Sequence, residues 1–297
     1  MAIGYACLTI GVPGTDLSRC ILRNASEENL KRITEKNLSA LEAMLHYNIE
    51  NNIKLFRISS DIIPFGSHPV NQLPWWELYE KKLLELGHKI AKAGIRVSMH
   101  PGQYTVLNSP NYTVVENAIN DLEYHNRFLS SLDAGKECKL ILHVGGVYGD
   151  KAKAMDAFLL HYHKLKDGVR RRLVIENDDR NYNIEDVLQI SAKTGAPVVF
   201  DNLHHLINPP DFIMSDAEWI KVCGNTWTKE DGVQKIHYSQ QKETGRPGSH
   251  SDTINIKDFA KYYSQLPYKN LDIMLEVKDK NISAVKCNKA IYHKDEI

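Results

Sequence analysis

The stretch RLVIENDDRNYNIEDVLQISAKTGAPVVFDNLHH, residues 172–205, decides the fold. It opens on a β-rich run, Arg172-Leu173-Val174-Ile175, and continues into a polar turn, Glu176-Asn177-Asp178-Asp179. Asn183 is placed to cap a helix and Gly195 to end it. A second β-rich run, Pro197-Val198-Val199-Phe200, follows and again ends in polar residues, Asp201-Asn202-Leu203-His204-His205. This is one strand–helix–strand unit with its chemistry at the strand ends.

The rhythm extends in both directions. Towards the N-terminus, strands are expected at Ile3–Leu8, Leu55–Ile58, Arg96–Met99 and Lys139–Leu142, and towards the C-terminus at Lys235–Tyr238 and Ile273–Glu276. A helix is expected after Ser26, with Leu30, Ile33, Leu41, Met44, Leu45 and Ile49 on one face. Another runs from Pro74 towards Gly94. Eight strands alternating with helices, at about 35–40 residues per unit, predict a single α/β domain, a (β/α)8 TIM barrel. An open doubly wound sheet is the alternative, but no G-x-G-x-x-G follows the first strand. The barrel is expected over residues 1–280, leaving 281–297 as a C-terminal tail.

The 297 residues carry 37 Lys plus Arg against 37 Asp plus Glu, a formal net charge of zero that excludes a general polycationic DNA coat. Five scattered cysteines, none spaced C-x-x-C, predict reduced thiols rather than a disulfide framework or zinc finger. Neither a signal peptide nor an apolar run long enough to span a membrane is visible, so a soluble cytoplasmic protein is expected.

Function in such a barrel sits where the strands end. Reading those positions yields His100, His143, Glu176, Asp201, His204, His237, His250 and Glu276. One histidine at a strand end is more often a packing residue than a ligand, and one glutamate more often pairs with a nearby Lys or Arg. Together, closed around one axis, they read as a metal centre. Three crowded carboxylates repel one another unless cations neutralise them. Mixed imidazole and carboxylate donors without thiolate suit Zn2+, Mn2+ or Fe2+. Eight ligands exceed the needs of one ion and predict two or three, an arrangement suited to in-line displacement at a phosphodiester. A sugar isomerase or epimerase is the competing use of a metal barrel, and a non-catalytic metal or DNA binding module is a further alternative.

Five motifs carry a resemblance: Pro64-Phe65-Gly66-Ser67-His68-Pro69, Ser98-Met99-His100-Pro101-Gly102-Gln103-Tyr104, Leu142-His143-Val144-Gly145-Gly146, Ile175-Glu176-Asn177-Asp178 and Asp201-Asn202-Leu203-His204-His205. In order and spacing, from Ile3 to Lys278, the chain resembles the UV damage endonuclease family, TIM barrels related to endonuclease IV. The resemblance implies cleavage of damaged double-stranded DNA on the 5′ side of UV photoproducts, initiating an alternative excision repair. It implies divalent metals, commonly Mn2+, with Zn2+, Co2+ or Fe2+ as the other candidates. It also implies a catalytic role for His68 beside Glu176, carboxylation of Lys235, and lesion probing by Gln103 and Tyr104, with Tyr5 near the lesion. An abasic-site endonuclease of the endonuclease IV type is the nearest alternative. Relatives often carry an Asn after the first strand; Tyr5-Ala6-Cys7-Leu8-Thr9 has none.

Lys242 and Arg246 are the expected phosphate contacts, since positioning on DNA comes mainly from its backbone. The run Arg170-Arg171-Arg172 is expected on the opposite face as a solvated patch. A monomer is expected.

Overall fold

A computed structural model describes residues 1–292. Eight parallel strands close into a barrel in sequential order. They are β1 (Ile3–Ala6), β2 (Leu55–Ile58), β3 (Arg96–Met99), β4 (Leu140–His143), β5 (Leu173–Glu176), β6 (Val198–Asp201), β7 (Lys235–Tyr238) and β8 (Asp272–Leu275). The expected strands are all present, displaced by no more than a residue or two. Helices cover the outside: α1 (Glu27–Glu50), α2 (Trp75–Leu78), α3 (Glu80–Ala93), α4 (Tyr112–Ser131), α5 (Lys151–Lys164), α6 (Asp167–Arg172), α7 (Ile184–Thr194), α8 (Asn202–Ile207), α9 (Asp216–Gly224), α10 (Ile256–Gln265) and α11 (Asn281–Tyr292).

The caps read from sequence are in place. Ser26 Oγ accepts from the Asn29 amide at 3.3 Å, and Asn183 and Asp186 form a reciprocal capping box on α7. Such a cap contributes about 1 kcal/mol. The helix expected from Pro74 to Gly94 is split at Tyr79 into α2 and α3.

The two-residue alternation of each strand sorts its side chains. Outward ones, among them Tyr5, Phe56, Val97 and Phe200, build the large core between sheet and helices. Inward ones stack in layers. Low in the barrel Arg96 Nη1 pairs with Asp272 Oδ2 at 2.9 Å. Two small apolar groups, Ala6–Leu55–Met274 and Ile141–Val174–Val199, also pack inside. Histidines and carboxylates crown the top.

Three expectations are corrected here. The boundary at 280 cuts through the domain: residues 281–292 form α11, which buries Ala284 and Cys287 and ties to β1 through Asn288 Nδ2 donating to Ile3 O at 3.2 Å. The rest of the expected tail, 293–297, lies outside the described residues. Arg172 is no solvated residue. It is 7% exposed, and its guanidinium donates to the carbonyls of Ala134, Gly135 and Cys138. Tyr5 does not face a ligand. Odd parity on β1 turns it outward, where it is fully buried, with its hydroxyl 2.6 Å from Thr9 Oγ1 and 2.8 Å from Asn48 Oδ1.

Candidate active site

Register places the donors. His143 on β4 stands opposite Glu176 on β5, and Asp201 on β6 opposite His237 on β7. His100 follows β3 directly and Glu276 follows β8, so both project over the same axis. Glu176, Asp201 and His237 are completely buried.

Glu176 is the hub. Its carboxylate lies 3.1 Å from His100 Nε2, 3.5 Å from His143 Nε2 and 2.5 Å from His237 Nδ1. Among the described residues, three groups of donor atoms lie close enough to hold an ion, and all contain it: His100–His143–Glu176, Glu176–Asp201–His204 and Glu176–His237–Glu276. His250, in the loop after β7, stands slightly apart, 3.9 Å from Glu276 Oε2.

The hydrogen bonds choose the ring nitrogens. His100 Nδ1 donates to Pro101 O at 2.9 Å and His204 Nδ1 to Asn177 O at 2.9 Å, which turns the Nε2 of each ring towards the centre. In His237 it is Nδ1 that faces the centre: Nε2 accepts from Arg57 Nη2 at 2.8 Å, and Nδ1–H donates to Glu176 Oε1 at 2.5 Å. Arg57 also pairs with Glu276 Oε1 at 2.7 Å. Sequence reasoning missed Arg57; its signal was a charged residue at an inward position of β2. It also missed the positioning role of Asn177, which accepts from the Asp201 amide at 2.9 Å while its own amide donates to Asp201 O at 3.1 Å.

The centre favours positive charge. Burial alone pushes the Glu176 carboxyl up, but the facing His237 and His143 rings and the His100 and His237 hydrogen bonds hold it well below the usual range. Burial works to lower the His204 pKa, yet Asp201, Glu176 and Glu276 raise it to about 9. His143 Nδ1 and Asp201 Oδ2 are buried without hydrogen-bond partners. Orphaned donors among anionic carboxylates, with nitrogen and oxygen but no sulfur, fit divalent transition ions.

Lys235 lies on the same inward face two residues before His237, fully buried, with Nζ unpartnered. Burial, reinforced by Arg96, holds its amine well below the ordinary lysine range.

The remaining predicted residues surround this centre. Gln103 and Tyr104 are exposed beyond β3. Tyr104 and His68 line one cleft of about 340 Å3 together with Arg19, Asp61 and Asp121. His68 is exposed, and its Nδ1 accepts from the Val70 amide at 3.1 Å. Lys242, expected to contact phosphate, is half-buried and pairs with Asp252 at 2.8 Å. Arg246 is exposed in the same loop.

Fold and centre together define the class: a TIM barrel whose C-terminal mouth gathers imidazoles and carboxylates around one glutamate. The chain belongs to the UV-endonuclease family, whose model, UV-endonuclease UvdE, matches residues 3–297; as a member it is an endonuclease, a hydrolase. It is 48% identical over 288 residues to the UV DNA damage endonuclease of Clostridium perfringens, covering 97% of this chain and 70% of that one. The crystal structure of SacUVDE superposes with a TM-score of 0.92 at 36% identity, covering 100% of both chains. Endonuclease IV from Thermus thermophilus shares the fold, with a TM-score of 0.58 at 13% identity over 99% of this chain and 100% of that one. No described helix is long and apolar enough to cross a membrane.

Proposed function

We propose that the protein is a metal-dependent DNA-repair endonuclease that hydrolyses the phosphodiester immediately 5′ of UV photoproducts in double-stranded DNA. The observation that carries this reading is the sharing of Glu176 by three donor groups. A carboxylate shared by donor groups with imidazoles on either side suits two or three ions, which His100, His143, Glu176, Asp201, His204, His237, His250 and Glu276 would hold. Mn2+ is the first candidate. When bound, such ions activate a water and offset charge on the attacking and leaving oxygens.

The chain's own groups supply the rest. Asn177 and Arg57 hold Asp201, His204 and His237 in orientation, so little reorganisation remains to be done in the reaction. With Nδ1 accepting from Val70, a neutral His68 carries its proton on Nε2 and can offer it to a phosphate oxygen across the cleft. The suppressed basicity and open Nζ of Lys235 suit capture of carbon dioxide as a carbamate, which turns an unpartnered amine into an anionic oxygen donor. Gln103 and Tyr104 supply an amide and a stacking face where a damaged dinucleotide leaves the helix. Arg246 is placed to contact backbone phosphate.

The test is nicking of UV-irradiated supercoiled plasmid by the chelated and then Mn2+-titrated enzyme. Nicking of irradiated but not untreated plasmid is expected, and equal cutting of both overturns lesion specificity. Parallel duplexes bearing one thymine dimer or one abasic site separate this activity from that of an abasic-site enzyme.

A further inference from the structure

Two segments of the catalytic face repeat one pattern. His100-Pro101-Gly102-Gln103-Tyr104 leaves β3, and His143-Val144-Gly145-Gly146-Val147-Tyr148 leaves the neighbouring β4. Each begins at a donor of the same group and ends in Gly-x-Tyr. In each the tyrosine ring folds back over that glycine: a Cβ on Gly102 would collide with the Tyr104 ring, and one on Gly146 with the Tyr148 ring. The two histidine rings have centroids 5.2 Å apart, so both Gly-x-Tyr turns rise from adjacent points on the rim.

Tyr104 is 71% exposed and Tyr148 is 50% exposed. The Tyr148 backbone has φ 47, a left-handed conformation that glycine adopts freely and a tyrosine adopts under strain. With half its surface in water, the ring regains little by packing. Strained residues that packing does not explain concentrate at ligand-contacting positions. The turn beneath is braced, since Gly146 O accepts from both Tyr182 Oη at 2.9 Å and Asn108 Nδ2 at 2.7 Å. A ring on a fixed turn has little conformational freedom left to lose on binding.

We propose that Tyr148 is a second stacking residue of the DNA interface, taking the face of a nucleobase left unstacked where the damaged duplex opens, beside the Gln103–Tyr104 turn. The proposal deepens the endonuclease reading and rests on it. Base–aromatic stacking tolerates any base, which suits an enzyme whose lesions occur in varied contexts.

The experiment compares Tyr148→Gly and Tyr148→Phe with the wild-type holoenzyme. It measures kcat and KM on a duplex with one thymine dimer, the melting temperature, and Mn2+ stoichiometry by calorimetry. In Tyr148→Gly, KM is expected to rise about 5- to 150-fold, the range that losing one stacked base gives. Its melting temperature should equal or exceed that of the wild type, because glycine suits the left-handed backbone, and its Mn2+ stoichiometry should be unchanged. Tyr148→Phe should keep KM within about twofold, because the stacking face remains. A wild-type KM in Tyr148→Gly overturns the proposal. Lost Mn2+ also overturns it, by showing that the residue acts through His143. If the wild type itself leaves the dimer duplex intact, the endonuclease reading fails and takes this proposal with it.

Discussion

Arg57 determines which face His237 turns to the centre. A guanidinium cannot accept a hydrogen bond, so the 2.8 Å contact of Arg57 Nη2 with His237 Nε2 makes that nitrogen the acceptor. The opposite nitrogen, Nδ1, then faces Glu176 Oε1 at 2.5 Å and Glu276 Oε1 at 3.3 Å. Burial opposes the charge on Arg57, but Glu276, Cys7 and Glu176 together more than offset this and keep its pKa raised.

Removing that cation leaves Glu276 without its partner. Arg57→Met should destabilise the metal-free protein by about 3–5 kcal/mol, as for other broken buried pairs. Urea unfolding measures this, and Arg57→Met/Glu276→Gln should recover a large part of the loss. A midpoint unchanged in the single variant would show that the pair contributes nothing to stability.

Glu176→Gln should abolish nicking of irradiated plasmid. Because three donor groups share this carboxylate, Mn2+ affinity should fall by more than the roughly 10- to 100-fold that loss of an outer-shell partner costs. Calorimetric titration with Mn2+ checks the binding arm separately from activity.

Tyr104→Ala tests lesion probing without disturbing the fold. At 71% exposure the ring packs little, so stability should change by no more than about 0.5 kcal/mol. Nicking of irradiated plasmid should fall by about 5- to 150-fold, the cost of one lost aromatic stack. Wild-type nicking by this variant would remove Tyr104 from the interface.

His125 on α4 makes stability depend on pH. It is fully buried, and burial lowers its pKa more than Asp121 raises it, with His100 adding to the lowering. In the unfolded chain the ring takes up its proton near pH 6.5, while the native ring remains neutral to lower pH. Its contribution is therefore complete above about pH 6.5 and is lost as the pH falls below it. Melting curves from pH 7.5 to 5 should show a shallower decline in His125→Gln than in the wild type. Identical slopes would assign the acid sensitivity to other groups.

The strands were legible because their apolar runs are short and punctuated, with Asn183 and Gly195 marking the helix between β5 and β6. The donors at the strand ends were legible for the same reason: once the barrel is inferred, chain position alone puts them at one mouth. Tyr5 failed because a resemblance at the end of a strand does not reveal side-chain parity. A shift by one residue moves a side chain from the barrel interior to the helix layer. Arg172 failed because a run of like charges reads as solvated until carbonyls supply its partners. The eighth barrel helix was missed because α11 is rich in Lys and Asn, and only its packing on β1 marks it as part of the domain.

By itself, the sequence determined the alternation of strands and helices, the family, and which residue types stand at each strand end. These are local or ordered properties of the chain. The tertiary structure decided that Glu176 is the hub, that Arg57 and Asn177 orient the side chains around it, and that the Tyr104 and Tyr148 turns leave neighbouring strands. These depend on inter-strand register and inward or outward parity across β2 to β8, distances that exist only once the barrel is closed.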